Sequence, residues 1–210
     1  QFAFNASGSI KNIKSADDIN IILPDFALNA NAHFVANILE AANVVKTDVA
    51  TKISRFGNIK VDGQFNGKPL DAVVVGDIST ALGDAKVNLD YSKPANSKLL
   101  ALKGVVETSK LNLGAITSSQ KLNQISAHAN FDVSVSDSHR KGVVDGVVEF
   151  VDFNNYRFNN IDISALIDGD FIEGNVNVND PNVMLAIDGS ANVNKKSQQL
   201  NLHADVSKIN

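Results

Sequence analysis

Apolar and polar residues alternate one for one along Ala127, Ala129, Phe131, Val133 and Val135, with Ser126, His128, Asn130, Asp132 and Ser134 between and beside them. Successive side chains on a β-strand point to opposite faces, so such a run makes a strand with one oily and one wet side. The pattern recurs from end to end. It is seen at Phe2, Phe4 and Ala6; at Ile19, Ile21 and Leu23; at Phe26, Leu28 and Ala30; and at Ile59, Val61 and Phe65. Val74 and Ile78 follow, then Ala85, Val87, Leu89 and Tyr91, then Leu100, Leu102 and Val106. The last third carries Val144, Val148 and Phe150; Ile161, Ile163, Ala165 and Ile167; Ile172, Val176 and Val178; Val183, Leu185 and Ile187; and Leu200, Leu202, Ala204 and Val206. This predicts roughly 12 to 14 strands.

The breaks between these runs hold residues suited to tight turns: Asn66-Gly67, Leu82-Gly83-Asp84, Asp137-Ser138, Asn154-Asn155, Asp168-Gly169, Asp180-Pro181-Asn182 and Asn194-Lys195-Lys196. Asn and Gly reach positive φ at low cost, which suits hairpins and predicts a meander in which each strand pairs with the next. One segment departs from period two. From Phe34 to Phe56 the apolar residues Ile38, Ala42, Val45, Val49, Ile53 and Phe56 are spaced by threes and fours. That stripe predicts one amphipathic helix near 34–56, of about five turns, capped by Asn31 or Asn37 and ended by Gly57. A shorter helical turn is expected around Ser118–Gln124. No linker or shift of composition divides the chain, so residues 1–210 read as a single unit. The opening at Gln1, already inside the pattern, reads as a segment of a longer protein.

Several functions are disfavoured. The net charge is −4, and the densest basic runs, His139-Arg140-Lys141 and Lys195-Lys196, are short and read as solvated loops. Nucleic-acid binding requires clustered cations, so no nucleic-acid partner is expected. The chain has no Cys, hence no disulfide, thiolate ligand or Cys nucleophile. His33, His128, His139 and His203 lack metal-site spacing, and no metal or other cofactor is expected. Asp17-Asp18 and Asp25, next to Ser15 and Pro24, read as turn residues rather than a catalytic pair. No G-x-S-x-G elbow, P-loop or dinucleotide-binding glycine motif is present, and the chain reads as a non-enzyme.

Three stretches taken together resemble a known family. Gly63, Phe65, Gly67, Thr80, Leu82 and Gly83 follow a G-x-F-x-G … T-x-L-G pattern, and Leu111, Leu113 and Gly114 an L-x-L-G element. Tyr156, Phe158, Asn160, Ile161, Gly169, Phe171, Gly174, Asp180 and Gly189 follow a closing Y-x-F-x-N-I … G-x-F-x-G … D … G element. In this order they resemble the periplasmic repeat region of TamB/AsmA-like proteins of Gram-negative bacteria. The resemblance covers about two thirds of the chain and lacks the family's membrane anchor and C-terminal end.

The resemblance implies an all-β fold, mainly β with one amphipathic helix. Its long antiparallel meander sheet would be curled into an open, apolar-lined trough, a β-taco. It also implies a periplasmic location within an inner-membrane-anchored protein, phospholipid acyl chains as cargo, and a part in outer-membrane biogenesis. The trough would be lined by Phe4, Val61, Phe65, Val87, Leu89, Leu100, Leu102, Phe131, Val133, Ile161, Ile163, Val176, Val183, Leu185 and Leu202, with Gly63, Gly76, Gly104, Gly146 and Gly174 on the same face permitting curvature. Two other readings remain open. One is a factor that pairs its sheet edge with strands of nascent outer-membrane proteins, in contact with their assembly machinery. The other is a ligand-free β domain closed as a barrel or sandwich.

Overall fold

The computed structural model describes residues 2–14, 18–41, 45–94, 97–136, 140–194 and 197–210. Twelve strands form one antiparallel sheet in strict sequence order. They are β1 (Phe2–Lys11), β2 (Asn20–Asn31), β3 (Asn58–Lys68), β4 (Asp71–Thr80), β5 (Gly83–Ser92), β6 (Leu100–Asn112), β7 (Leu122–Val135), β8 (Arg140–Phe153), β9 (Tyr156–Asp168), β10 (Phe171–Asn179), β11 (Val183–Asn194) and β12 (Ser197–Ile209). The sheet curls into an open trough without closing into a barrel. Among the described residues, extensive strand contacts join sequence neighbours only, as a meander requires.

The two apolar runs around Pro24 lie in a single strand. They are out of phase with each other, and a β-bulge between Leu23 and Phe26 corrects the phase: Leu23 opposes Phe65 and Phe26 opposes Gly63. One extra residue returns the oily positions to the same face. Pro24 is tolerated at this irregularity. Asp25 is therefore a strand residue, paired with Ser7, and not a turn.

The long helix is broken. α1 spans Ala32–Ala41 and α2 spans Thr47–Ile53, followed by a 3-10 turn at Ser54–Phe56. Asn31 caps α1, its side chain accepting from the His33 amide at 2.9 Å. Gly57 ends the segment at φ 72°. The chain is extended at Lys46, and the Thr47 hydroxyl donates to Glu40 at 2.5 Å, starting α2 against the end of α1. The pair buries Ala36 and Ala50, small residues that let helices approach closely. Val45, β-branched, suits the break better than a helix interior. Ala42 lies outside the described residues. The second helix is also displaced: α3 is Leu113–Thr117, Ser118 is its left-handed end at φ 61°, and Leu122 already begins β7.

Some turns shift along the chain. The β3–β4 hairpin turns at Pro69-Leu70, while Asn66 and Gly67 stay in the ladder opposite Val73 and Ala72. Asn154 and Asn155, at φ 52° and 66°, form the two-residue turn predicted for them. Arg140 and Lys141 open β8 rather than sitting in a loop. His139, Asp137-Ser138, Lys195-Lys196 and Asp17 lie outside the described residues.

The molecule has little interior. Its buried apolar residues among those described are Ala30, Ala32, Ala36, Ala50, Ile59, Ala72, Val148 and Ile161, with no Leu, Phe or Met. The accessible surface is 13271 Å², whereas a compact protein of this mass exposes about 9,400 Å². Among the described residues no second sheet packs on the oily face, which only the helices meet, at one end of the strands.

Candidate functional site

The registers place the apolar residues in rows that cross the sheet perpendicular to its strands. One row runs Phe4, Leu28, Val61, Ile78, Ala85, Thr108, Ala127, Val148, Ile161, Val178, Leu185 and Val206, a residue from every strand. The next runs Ala6, Phe26, Gly63, Gly76, Val87, Val106, Ala129, Gly146, Ile163, Val176, Ile187 and Ala204. A third passes from Leu23 through Phe65, Val74, Leu89, Gly104, Phe131, Val144, Ala165, Gly174 and Gly189 to Leu202. At a strand spacing of about 4.8 Å, twelve strands carry these rows for about 53 Å.

All fifteen residues named from the sequence share this face. Leu102 and Val133 face each other, as do Leu100 and its partner Val135, and Val183 opposes Ile209. Phe26, Ile78, Val148 and Val178 complete the lining. Alternation signals each of them, but Phe26 follows the bulge, where the phase changes. The five glycines lie on the same face. Gly104 sits between Leu89 and Phe131 at φ 151°, and a Cβ there would come within 2.0 Å of the Asn88 carbonyl oxygen. Only Gly fits this position.

The lining offers almost no free polar atom. Thr108 Oγ1 accepts from the Ala127 amide at 3.2 Å. The Tyr91 hydroxyl donates to the Pro69 carbonyl at 2.7 Å, and burial, helped by nearby Asp71, pushes its pKa up, so it stays neutral. Charged groups lie on the opposite face: Asp62, Asp77, Lys86 and Glu107 form one cross-strand row there. Between β1 and β3, Phe4, Ile21, Leu23, Phe26 and Phe65 line a hollow of about 200 Å³, the Phe4 and Phe26 rings 6.2 Å apart.

The helices leave the sheet from one end of the strands. The Phe34 ring of α1 lies 5.2 Å from that of Phe2. Phe2 shares the face of Phe4, which places α1 on the oily side. Arg55 reaches from the 3-10 turn to α3, donating to the carbonyls of Ala115 at 3.2 Å and Ile116 at 2.7 Å and to Ser118 Oγ at 2.6 Å. The helical layer thus spans from the β2–β3 connection to the β6–β7 connection.

A polar knot stands at the same end of the β9–β11 region. Asp180 is 2 % exposed and accepts from the Tyr156 hydroxyl at 2.5 Å, the Asn182 amide at 2.9 Å, and the Asn159 amide and side chain at 3.0 and 2.9 Å. Burial alone would raise its pKa, but these donors outweigh it and hold the carboxyl well below the usual carboxylate range. Tyr156 and Asp180 both belong to the sequence motif noted above, which therefore carries a structural role here. With every oxygen engaged, the knot locks a hairpin and leaves no oxygen free for a ligand.

Among the described residues no three His, Cys, Asp or Glu side chains gather as a metal site, and no helix is long and apolar enough to cross a membrane. Comparison of the chain with family models, with curated proteins and with solved structures finds no match.

Proposed function

We propose that the trough holds or conducts phospholipid acyl chains, as a non-enzymatic segment of a TamB/AsmA-like protein working in the periplasm between inner and outer membranes. The observation that carries this reading is the set of unbroken apolar rows, open along one face and about 53 Å long. An acyl chain gains about 0.8 kcal/mol per CH₂ removed from water, so a chain of ~16 carbons laid along the rows gains on the order of 10 kcal/mol. A lining of Val, Ile, Leu, Phe, Ala and Gly holds hydrocarbon without reading its chemistry. Neighbouring positions along a row are nearly equivalent, which favours sliding over trapping. The satisfied polar atoms of Thr108 and Tyr91 leave no point at which a headgroup would be held inside.

The test is site-specific photocrosslinking in cells. A photoreactive residue at Phe131 or Val87 is expected to capture phospholipid, and one at Asn130 or Asn88, on the opposite face, is not. Equal capture from both faces, or none from the trough, overturns the reading. A second reading is pairing of the sheet edge with strands of outer-membrane proteins. It predicts capture of protein at β12 and no lipid at Val87.

A further inference from the structure

We propose that the hollow between β1 and β3 is a holding seat for a hydrocarbon chain, at which a chain carried along the rows comes to rest. The inference rests on the reading of the trough as a carrier of acyl chains and adds to it a resting position, at the β1–β3 end.

Four of the five walls, Ile21, Leu23, Phe26 and Phe65, stand on β2 and β3, strands paired on both sides, so the hollow does not depend on what borders β1. The space arises from the order of large and small residues. Phe26 stands in its row between Ala6 and Gly63, and its ring lies down over the glycine: a Cβ on Gly63 would meet Phe26 Cε1 at 3.2 Å. Leu23 leans over Gly8 in the same way, its Cδ2 lying 3.0 Å from where a Cβ would be. Phe4, 6.2 Å from Phe26, closes the hollow toward the helical end of the strands, and Ile21 stands toward the other end. The rows hold no Phe on β4–β6 or on β10–β12. There a chain lies on a surface, whereas in the hollow it is touched from several sides.

The occupant follows from size and chemistry. An apolar cavity of about 150 Å³ holds a benzene-sized molecule, so a hollow of about 200 Å³ takes roughly six to eight chain carbons. A peptide is a poor occupant. The backbones of β2 and β3 are engaged in their ladders and the five walls carry no donor or acceptor, so an inserted peptide bond would go unpaired. A hydrocarbon chain leaves nothing unpaired.

The chain has no Trp, so a single introduced indole reports one place. Val74→Trp sets it beside Phe65 but outside the five walls, and Val176→Trp sets it on β10 as the reference. The probe is a fatty acid brominated along its chain, titrated below its micelle concentration, since bromine quenches indole on contact. Half-quenching at Val74→Trp is expected at a concentration about tenfold lower than at Val176→Trp, the gain from roughly two further CH₂ groups removed from water. Ala6→Phe, at an exposed position opposite Phe26, puts a ring into the hollow. It adds apolar surface, yet it is expected to weaken quenching at Val74→Trp to the level of the reference. Val176→Trp is expected to keep its own curve in that background, which certifies folding. Should that signal be lost, Ala6→Leu is read in its place with the same expectation. Equal half-quenching at the two sites, quenching at Val176→Trp alone, or tighter binding in Ala6→Phe overturns the seat and leaves the trough reading standing. No quenching at either site removes the trough reading and the seat with it. An indole at Val74 that ignores the acid while the chain sediments as a dimer assigns the hollow to a second copy, and overturns the proposal as well.

Discussion

The β1–β3 end of the trough and the β9–β12 end are stabilised in different ways. At the first, aromatic rings carry the packing: Phe2 against Phe34 of α1, and Phe4 against Phe26 over Gly63. At the second, the lining is Ile, Val, Leu, Ala and Gly with no helix above it, and order comes from the polar knot at Asp180. An open sheet gains little from burial on its concave side, so its ends need other fastenings. One end is held by extra apolar contacts, the other by hydrogen bonds. The Phe2–Phe34 contact and the Asp180 knot lie at the end of the strands where the helices leave, whereas Phe4 and Phe26 stand within the rows themselves.

The contrast is broken most strongly at Asp180. Replacing it by Ala removes a buried acceptor shared by Tyr156, Asn159 and Asn182. The expected loss is about 3 kcal/mol, read in thermal unfolding as a fall of roughly 6–12 °C. Its pH dependence has a definite sign. A carboxyl whose folded pKa lies below its unfolded value contributes stability that is complete above the unfolded value of about 4 and fades as pH falls toward the folded value. The advantage of the native protein over Asp180→Asn is therefore constant near neutrality and shrinks below about pH 4. An advantage that grows with acidification would contradict the hydrogen-bonded carboxylate.

A smaller effect sharpens the comparison of packing. Phe26→Ala removes a ring that touches Phe4 and lies over Gly63, with an expected cost of about 2 kcal/mol; Ile187→Ala, between Val176 and Ala204 on the uncovered end, is expected to cost about 1 kcal/mol. Urea unfolding of the two variants measures both. Equal losses would mean that the aromatic cluster adds nothing to its end of the sheet.

How much of this was legible in the chain differs by region for a physical reason. Alternation has a period of two, so the face of every inner strand, and all fifteen proposed lining residues, could be read from spacing alone. The bulge in β2 was invisible to that rule, because a phase shift at Pro24-Asp25 looks the same as a turn until the partner strand is known. The helix boundary failed for a different reason: the stripe from Ile38 to Phe56 keeps its period although the chain is extended at Lys46, and Ile38 and Val49 are exposed while Ala36 and Ala50 make the buried contact. Turn chemistry misleads in a similar way: Asn66-Gly67 suits a turn, yet Pro69-Leu70 turns the hairpin three residues later. The Asp180 knot follows from register. Once Ile161 is set opposite Val178, Asn159 falls opposite position 180, and a turn that looked local proves to be tied to the start of β9. The open trough itself came from the family resemblance, since alternation is equally at home in a barrel or a sandwich.

Arg55 gives the smallest and most local test of the same contrast. Its guanidinium closes the last carbonyls of α3 from the other side of the helical layer, at an exposed site, so its loss is expected to cost about 1 kcal/mol. The sheet does not depend on this contact, because the strands on both sides keep their ladders. Arg55→Ala is therefore expected to leave the main unfolding transition nearly unchanged and to speed amide exchange in α2 and α3. Lys at this position keeps the charge but not the planar fork that serves two carbonyls and a hydroxyl together, and is expected to restore exchange protection only in part. If exchange in β9–β12 rises as much as in the helices, the two ends are coupled and their fastenings are not independent. If only the helices respond, the layer is a separate unit laid over one end of a self-sufficient sheet.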